Sequence, residues 1–199
     1  MSLQKYMSLR RDARVVRDEG GYRLDMGEAN HVIFEDFIGE MFERFPDPVT
    51  WEPFAGHTGR CKSQDLCDDI GIKHIAFDLE PEDFRVQQED STLMGPGERI
   101  HGMIFHPPYF GTATMSSHRA DLSNAHQAAE YMAMLSKTIK LAYDSMVMGG
   151  LVAVICRDYR YRGERIRLDH WMMQAFESFE FKLLSVWTSE PDVVLIFER

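Results

Sequence analysis

Cysteine is scarce in this chain: Cys61, Cys67 and Cys156 are the 3 present among 199 residues. An odd number with no C-x-x-C spacing argues for reduced thiols rather than a disulfide framework or a zinc site. Positive charge is also short. Lys and Arg number 22 against 32 Asp and Glu, a net charge of −10, the wrong sign for gripping a phosphate backbone over the whole surface. No apolar run approaches the roughly 18 residues of a membrane span. The start, MSLQKYMSLRRDARVV, lacks the apolar core of a secretory signal, so a cytoplasmic chain without a membrane partner is expected. His57, His74, His101 and His170 show no H-x-x-x-H or H-x-x-E spacing, so no metal is expected either. Internal repeats and low-complexity segments are missing as well.

What is present suits one domain. A chain of 199 residues with 44% hydrophobic content has the length for a single buried core. Residues 1–27 are polar and read as an N-terminal arm, leaving 28–199 as the domain. Phe34, Phe37, Ile38, Met41, Phe42 and Phe45 recur at helical spacing from about Asn30. Pro46 and Pro48 end that helix, because a residue before proline is pushed out of the α region.

From there strands and helices alternate. The pattern predicts a strand at Val49–Trp51, a helix over Gly59–Ile70 stopped by Gly71, and a strand at Ile72–Phe77. A weak strand at Phe84–Gln88 and a turn at Gly95–Gly97 precede the apolar strand Ile100–Phe105, and a loop then runs to about Asp121. Ala128, Tyr131, Met132, Leu135, Ile139, Ala142, Tyr143 and Met146 make the longest amphipathic face, with Gly149-Gly150 as its stop. Leu151–Ile155 reads as a buried strand and Asp169–Phe179 as a helix. The strands Phe181–Trp187 and Val193–Phe197 are joined too closely for a crossover helix, so they should pair antiparallel. The expectation is an α/β fold: a mostly parallel sheet closed by a C-terminal antiparallel hairpin.

Three strand ends carry loops of distinct chemistry, the layout of an open sheet that binds a nucleoside cofactor along its carboxyl edge. In the turn Glu52–Gly59, Gly56 and Gly59 can take positive φ and let the backbone approach a ligand. The helix beyond offers unpaired N–H groups to a carboxylate. Asp78 closes the next strand, where an acid can accept ribose hydroxyls, with Glu80 second. His106-Pro107-Pro108-Tyr109 follows a buried strand. Its prolines would fix carbonyls able to orient an acceptor amine, and its tyrosine would offer a face to a flipped base. The alternative is a rigid turn capped by a core tyrosine. Phe110 and Arg119 bracket a small-residue loop, read as a lid, a target contact or a plain connection. Arg157, Arg160, Arg162, Arg165 and Arg167, interleaved with Tyr159 and Tyr161, form the one basic aromatic cluster. That composition suits phosphate contact and base stacking, or else a solvated loop offsetting the acidic surface.

Taken in order, Glu52-Pro-Phe-Ala-Gly-His-Thr-Gly59, Asp78, Asp90 and His106-Pro-Pro-Tyr109 resemble the S-adenosylmethionine-dependent amino-methyltransferases of DNA, of the N-4 cytosine and N-6 adenine type. Histidine stands where that family has Asp, Asn or Ser, and Glu52 where it has aspartate. The resemblance spans 28–199. It implies a class I, Rossmann-like methyltransferase with a seven-stranded sheet, and Asn30 and His31 on a helix flanking the methionine end of the cofactor. It also implies that S-adenosylmethionine is held by Glu52, Phe54, Ala55, Gly56, Thr58, Gly59, Asp78 and Asp90, with Asp90 at the adenine amino group. His106, Pro107, Pro108 and Tyr109 are the implied catalytic residues. Phe110, Arg119, Arg157, Tyr159, Arg160, Arg162 and Arg165 are assigned to nucleic acid. DNA is the expected partner, with RNA or a protein amide as alternatives and a homodimer or specificity subunit as a further partner. A cofactor-binding module without turnover is the reading from a different class.

Overall fold

The apolar strands alternate, so neighbouring residues serve opposite faces of one sheet. In the computed structural model, which describes residues 37, 40, 41, 43–56, 59, 61–112, 116–189 and 192–199, Met103 and Phe105 face one side and Ile104 the other. Val152 and Val154 likewise oppose Ala153 and Ile155. The 1–27 arm, Asn30 and His31 lie outside the described residues. Phe37, Glu40, Met41, Glu43 and Arg44 are helical, in keeping with a helix that ends before Pro46.

The strands are β1 (Val49–Glu52), β2 (Lys73–Asp78), β3 (Gln87–Gln88), β4 (Ile100–Phe105), β5 (Met146–Arg157), β8 (Lys182–Ser189) and β9 (Asp192–Glu198), with a separate hairpin of β6 (Tyr159–Tyr161) and β7 (Glu164–Ile166). The helices α1 (Lys62–Ile70), α2 (Ala128–Ser145) and α3 (Leu168–Glu177) connect them. The large sheet has 7 strands in the order β3-β2-β1-β4-β5-β9-β8. Pairing is parallel from β3 to β5 and antiparallel for β5–β9 and β9–β8. The strand order reverses between β1 and β4, and a crevice outside the carboxyl ends there is where such sheets take their ligands. Glu52, Asp78 and Phe105 end the strands that line it.

One face carries Tyr131, Leu135 and Ile139 of α2 and Leu168, Met172 and Phe176 of α3, packed on Trp51, Phe77, Met103 and Phe105. Phe37, Met41 and Cys67 cover the other face, against Ile104 and Ile155. Gly102 makes this second contact possible, since a Cβ there would lie 2.9 Å from the Met41 sulfur.

The chain departs from the sequence pattern at several points, and the strand drawn over Phe84–Gln88 shrinks to Gln87–Gln88. The helix drawn over Gly59–Ile70 begins at Lys62, because Gly59 has φ +73 and Cys61 is an extended cap. Gly149-Gly150 does not stop α2, which ends at Ser145. Met146 already pairs with Ile100, and Gly149, at φ 77, lies in the irregular stretch before Leu151 pairs with Gly102. Arg199 closes that stretch, its N–H donating to Gly150 O at 3.0 Å and its carbonyl accepting from Gly149 at 2.9 Å. The Arg-Tyr segment is a β-hairpin rather than a loop. Arg162 and Gly163 both take positive φ, 51 and 85, as a two-residue hairpin turn requires.

Candidate active site

β1 delivers the glycine turn to the sheet edge. Ala55 N–H donates to Phe77 O at 2.9 Å, so the turn stays beside the end of β2. Gly56 has φ +86 and Gly59 φ +73, with nothing within 4 Å of where a Cβ would sit, so the glycines serve backbone conformation rather than close packing. Thr58 and His57 lie outside the described residues. The N–H groups expected to await a ligand are met from within: Gly59 donates to Glu82 Oε2 at 2.7 Å and Cys61 to Asp83 Oδ2 at 2.9 Å. Asp83 is held in turn by Arg85, which also reaches Asp65 and Asp68. The Arg85 guanidinium keeps the Asp83 carboxyl well below the usual carboxylate range. Glu82, Asp83 and Arg85 belong to the loop after β2, whereas Asp65 and Asp68 lie on α1.

Asp78 is half-buried at the end of β2, with Oδ1 accepting from Glu80 N–H at 3.0 Å. Its carbonyl accepts from Glu89 N–H at 3.0 Å, which draws the Asp90 loop to the same edge. Asp90 Oδ1 accepts from the N–H and hydroxyl of Thr92 at 2.8 and 2.7 Å, so this oxygen folds its own turn. Phe54 lies edge-on to Phe105 at 5.3 Å and joins the glycine turn to the end of β4.

The His106–Tyr109 turn leaves β4 and is pinned from two sides. Tyr131 on α2 donates its hydroxyl to Pro108 O at 2.9 Å. Burial pushes the Tyr131 pKa well above its ordinary value, which keeps this donor protonated. Tyr159 of the hairpin donates to Phe110 O at 2.8 Å, and its ring stacks on Tyr109 at 5.5 Å and 11°. Tyr109 Oη lies 3.4 Å from His106 Nε2. His106, Tyr109 and Tyr159 are therefore brought together. Phe110 is not a surface group: at 5% exposure it packs among Tyr131, Tyr161 and Trp171 and seats the hairpin.

The cationic side chains of the hairpin have local partners, with Arg160 and Arg165 opposite each other across it. Arg165 pairs with Asp158 at 2.6 Å and Arg167 with Asp169 at 3.0 Å. Arg160 bonds the turn carbonyl of Gly163, and Arg162 lies over the Tyr161 ring. Arg157 ends β5 beside this hairpin. Arg119 is exposed on a loop that Asp121 and Asn124 staple through Ser116 and His118. Residues 113–115 lie outside the described set.

No protein-family model matches this chain, and neither does any curated protein at the level of sequence. Solved structures do match its architecture. The N-methyltransferase NodS from Bradyrhizobium japonicum WM9 has a TM-score of 0.57 at 9% identity, covering 88% of this chain and 97% of that one. The 1,6-didemethyltoxoflavin-N1-methyltransferase of Burkholderia thailandensis, solved with its substrate and S-adenosylhomocysteine, gives 0.59 at 13% identity over 99% and 86%. A SAM-dependent methyltransferase from Archaeoglobus fulgidus gives 0.53 at 12% over 98% and 99%. This is the class I methyltransferase fold.

Within the class I fold, the glycine turn, Asp78 and the His106–Tyr109 turn share one sheet edge. Tyr131 and the Tyr159 hydroxyl, which fix the last of these, went unremarked in the sequence because Tyr131 counted only toward the apolar face of its helix. A second constellation lies below the glycine turn. Glu52, Cys61 and His74 bring ligand atoms within 4.8 Å of one another. Their spacing of nine and thirteen residues matches no motif; pairing of β1 with β2 brings Glu52 and His74 together, and the start of α1 adds Cys61. Burial disfavours the imidazolium here, yet Cys61, Cys67 and Glu52 hold the His74 pKa well above its ordinary value. Among the described residues no helix is long and apolar enough to cross a membrane.

Proposed function

We propose that the chain is an S-adenosylmethionine-dependent methyltransferase acting on the exocyclic amine of a nucleobase, with DNA as the acceptor. The observation that carries this reading is the His106–Tyr109 turn, locked by Tyr131 and stacked on Tyr159 at the carboxyl end of β4. The residues present fit the cofactor. Asp78 is a carboxylate suited to ribose hydroxyls, Phe54 is an apolar wall, and the glycine turn carries positive φ. Glu52 is turned toward His74 and Ser63 instead, so it supports the turn from below. When bound, the cofactor supplies an electrophilic methyl group. The protein's part is to hold the amine in line with it: the His106 imidazole and the Pro107 carbonyl accept its hydrogens, and Tyr109 stacks the base. Pro108 O is already engaged by Tyr131, which leaves it the task of fixing the turn.

Calorimetry with S-adenosylmethionine and S-adenosylhomocysteine tests the first half. Both should bind, and Asp78→Ala should weaken them by about 1–3 kcal/mol, the scale of a hydrogen bond to a charged group. Absence of binding at millimolar cofactor overturns the reading.

A second reading, an acceptor without a phosphate backbone, is favoured by one set of observations. The surface is acidic at −10, and Asp158 and Asp169 partner Arg165 and Arg167. The salt dependence of DNA binding separates the two. If Arg160, Arg162 and Arg165 contact phosphates, neutralising all three should flatten the log–log slope by roughly 0.9 per contact on duplex and about 0.7 on single strands. An unchanged slope, with methyl transfer to a small amine, selects the second reading.

A further inference from the structure

Glu52 Oε2 is approached by more groups than one carboxylate oxygen can serve. The Ser63 hydroxyl bonds it, His74 Nε2 lies at 3.3 Å and Cys61 Sγ at 3.9 Å, and Cys61 Sγ is 3.1 Å from Ser63 Oγ. An oxygen has two lone pairs for these three neighbours. The crowding is sealed from solvent: the His74 side chain is 0% exposed and the Glu52 side chain 6%. Cys61 occupies the cap position of α1 but makes no side-chain cap bond, since its thiol turns inward to this cluster. The other ring nitrogen of His74, Nδ1, lies 2.8 Å from Thr50 Oγ1. If Nδ1–H donates to Thr50, the Nε2 lone pair faces a carboxylate oxygen, an arrangement that needs a positive charge between them.

We propose that Glu52, Cys61 and His74 bind one divalent zinc-type ion, with Ser63 beside the fourth position, and that this ion clamps the base of the glycine turn. One thiolate, one imidazole and one carboxylate form a donor set suited to zinc. With zinc–sulfur near 2.3 Å and zinc–nitrogen or –oxygen near 2.0–2.1 Å, tetrahedral edges are roughly 3.3–3.6 Å. The 3.3 Å between His74 and Glu52 and the 3.9 Å between Cys61 and Glu52 lie close to these edges. Thr50 takes the outer-shell place that fixes the imidazole tautomer. Binding is a proton exchange without redox change. The ion forms bonds to Sγ, Nε2 and Oε2, and the thiol proton, with any proton on Nε2, leaves to solvent. The three ligands come from the end of β1, the cap of α1 and the start of β2. The ion would therefore tie together the elements on either side of Gly56 and Gly59. None of this depends on methyl transfer.

The test is metal content of the full chain after zinc-supplemented expression, then titration of the chelated protein with zinc(II) and cobalt(II). The expected results are one ion per chain, a raised melting temperature, and a thiolate-to-cobalt charge-transfer band. Cys61→Ser should abolish the band, while Cys156→Ala, at a buried cysteine of β5, should leave it. Thr50→Val, which keeps all three ligands, should weaken zinc by roughly 10–100-fold. Circular dichroism of each metal-free variant separates loss of a ligand from loss of the fold. If the wild type takes up no zinc and gives no cobalt–thiolate band, or binds metal equally well as Cys61→Ser/His74→Gln, the proposal is overturned. The cluster is then a hydrogen-bonded imidazolium–carboxylate pair.

Discussion

Truncating His106 to alanine is expected to lower methyl transfer by about 10²–10⁴-fold, the range for a positioned group that orients or relays a proton, with cofactor affinity unchanged. The imidazole sits at the end of β4 with Nε2 3.4 Å from Tyr109 Oη, on a turn held by Tyr131 and Tyr159. On the proposed reading the truncation removes an acceptor for the amine, while both anchors of the turn stay in place. Single-turnover rates paired with calorimetric affinities separate the two effects. A variant that loses cofactor binding together with turnover would make His106 part of the cofactor pocket. His106→Asp restores the acid of the resembling family, and gain of activity from an inactive parent would mean that histidine had silenced the site.

The largest effect on stability is expected at Phe176. Its ring is fully buried, edge-on to Phe105 at 5.2 Å and stacked on Phe197 at 4.9 Å, with Phe181 at 5.3 Å. It therefore joins α3 to β4 and β9 behind the site. Phe176→Ala removes this buried area and leaves a cavity the strands cannot collapse into, at a cost of about 3–5 kcal/mol. Against the 5–15 kcal/mol typical of a whole domain, that is a large share. Urea unfolding should show the midpoint falling with an unchanged slope. A loss below about 1 kcal/mol would mean that the surrounding rings repack.

The parallel strands and the closing hairpin were legible because their signals are local. Ile100–Phe105 is an apolar run between a Gly-Pro-Gly turn and a double proline, and it became β4 with those bounds. The short Ser-Glu-Pro-Asp link dictated that β8 and β9 pair antiparallel, as they do. The glycine turn, Asp78 and the His106–Tyr109 turn were legible as strand-end segments, and the sheet brings all three to one edge.

What the sequence could not decide depends on partners distant along the chain. Gly59 and Cys61 looked like free donors at a helix start, yet Glu82 and Asp83 fold back from the far side of β2 to meet them. The sequence left the basic cluster as either a phosphate contact or a solvated loop. Its local partners came only with the fold, which stacks Tyr159 on Tyr109 and sets Asp158 and Asp169 beside Arg165 and Arg167. Glu52, Cys61 and His74 follow no spacing rule; the parallel register of β1 on β2 sets Glu52 near His74, and the cap of α1 brings Cys61 to them. Periodicity and turn chemistry act over a few residues, so the sequence by itself determined the elements and their order. Hydrogen bonds and charge pairs act through space, so only the tertiary structure decided which donors, cations and ligands meet.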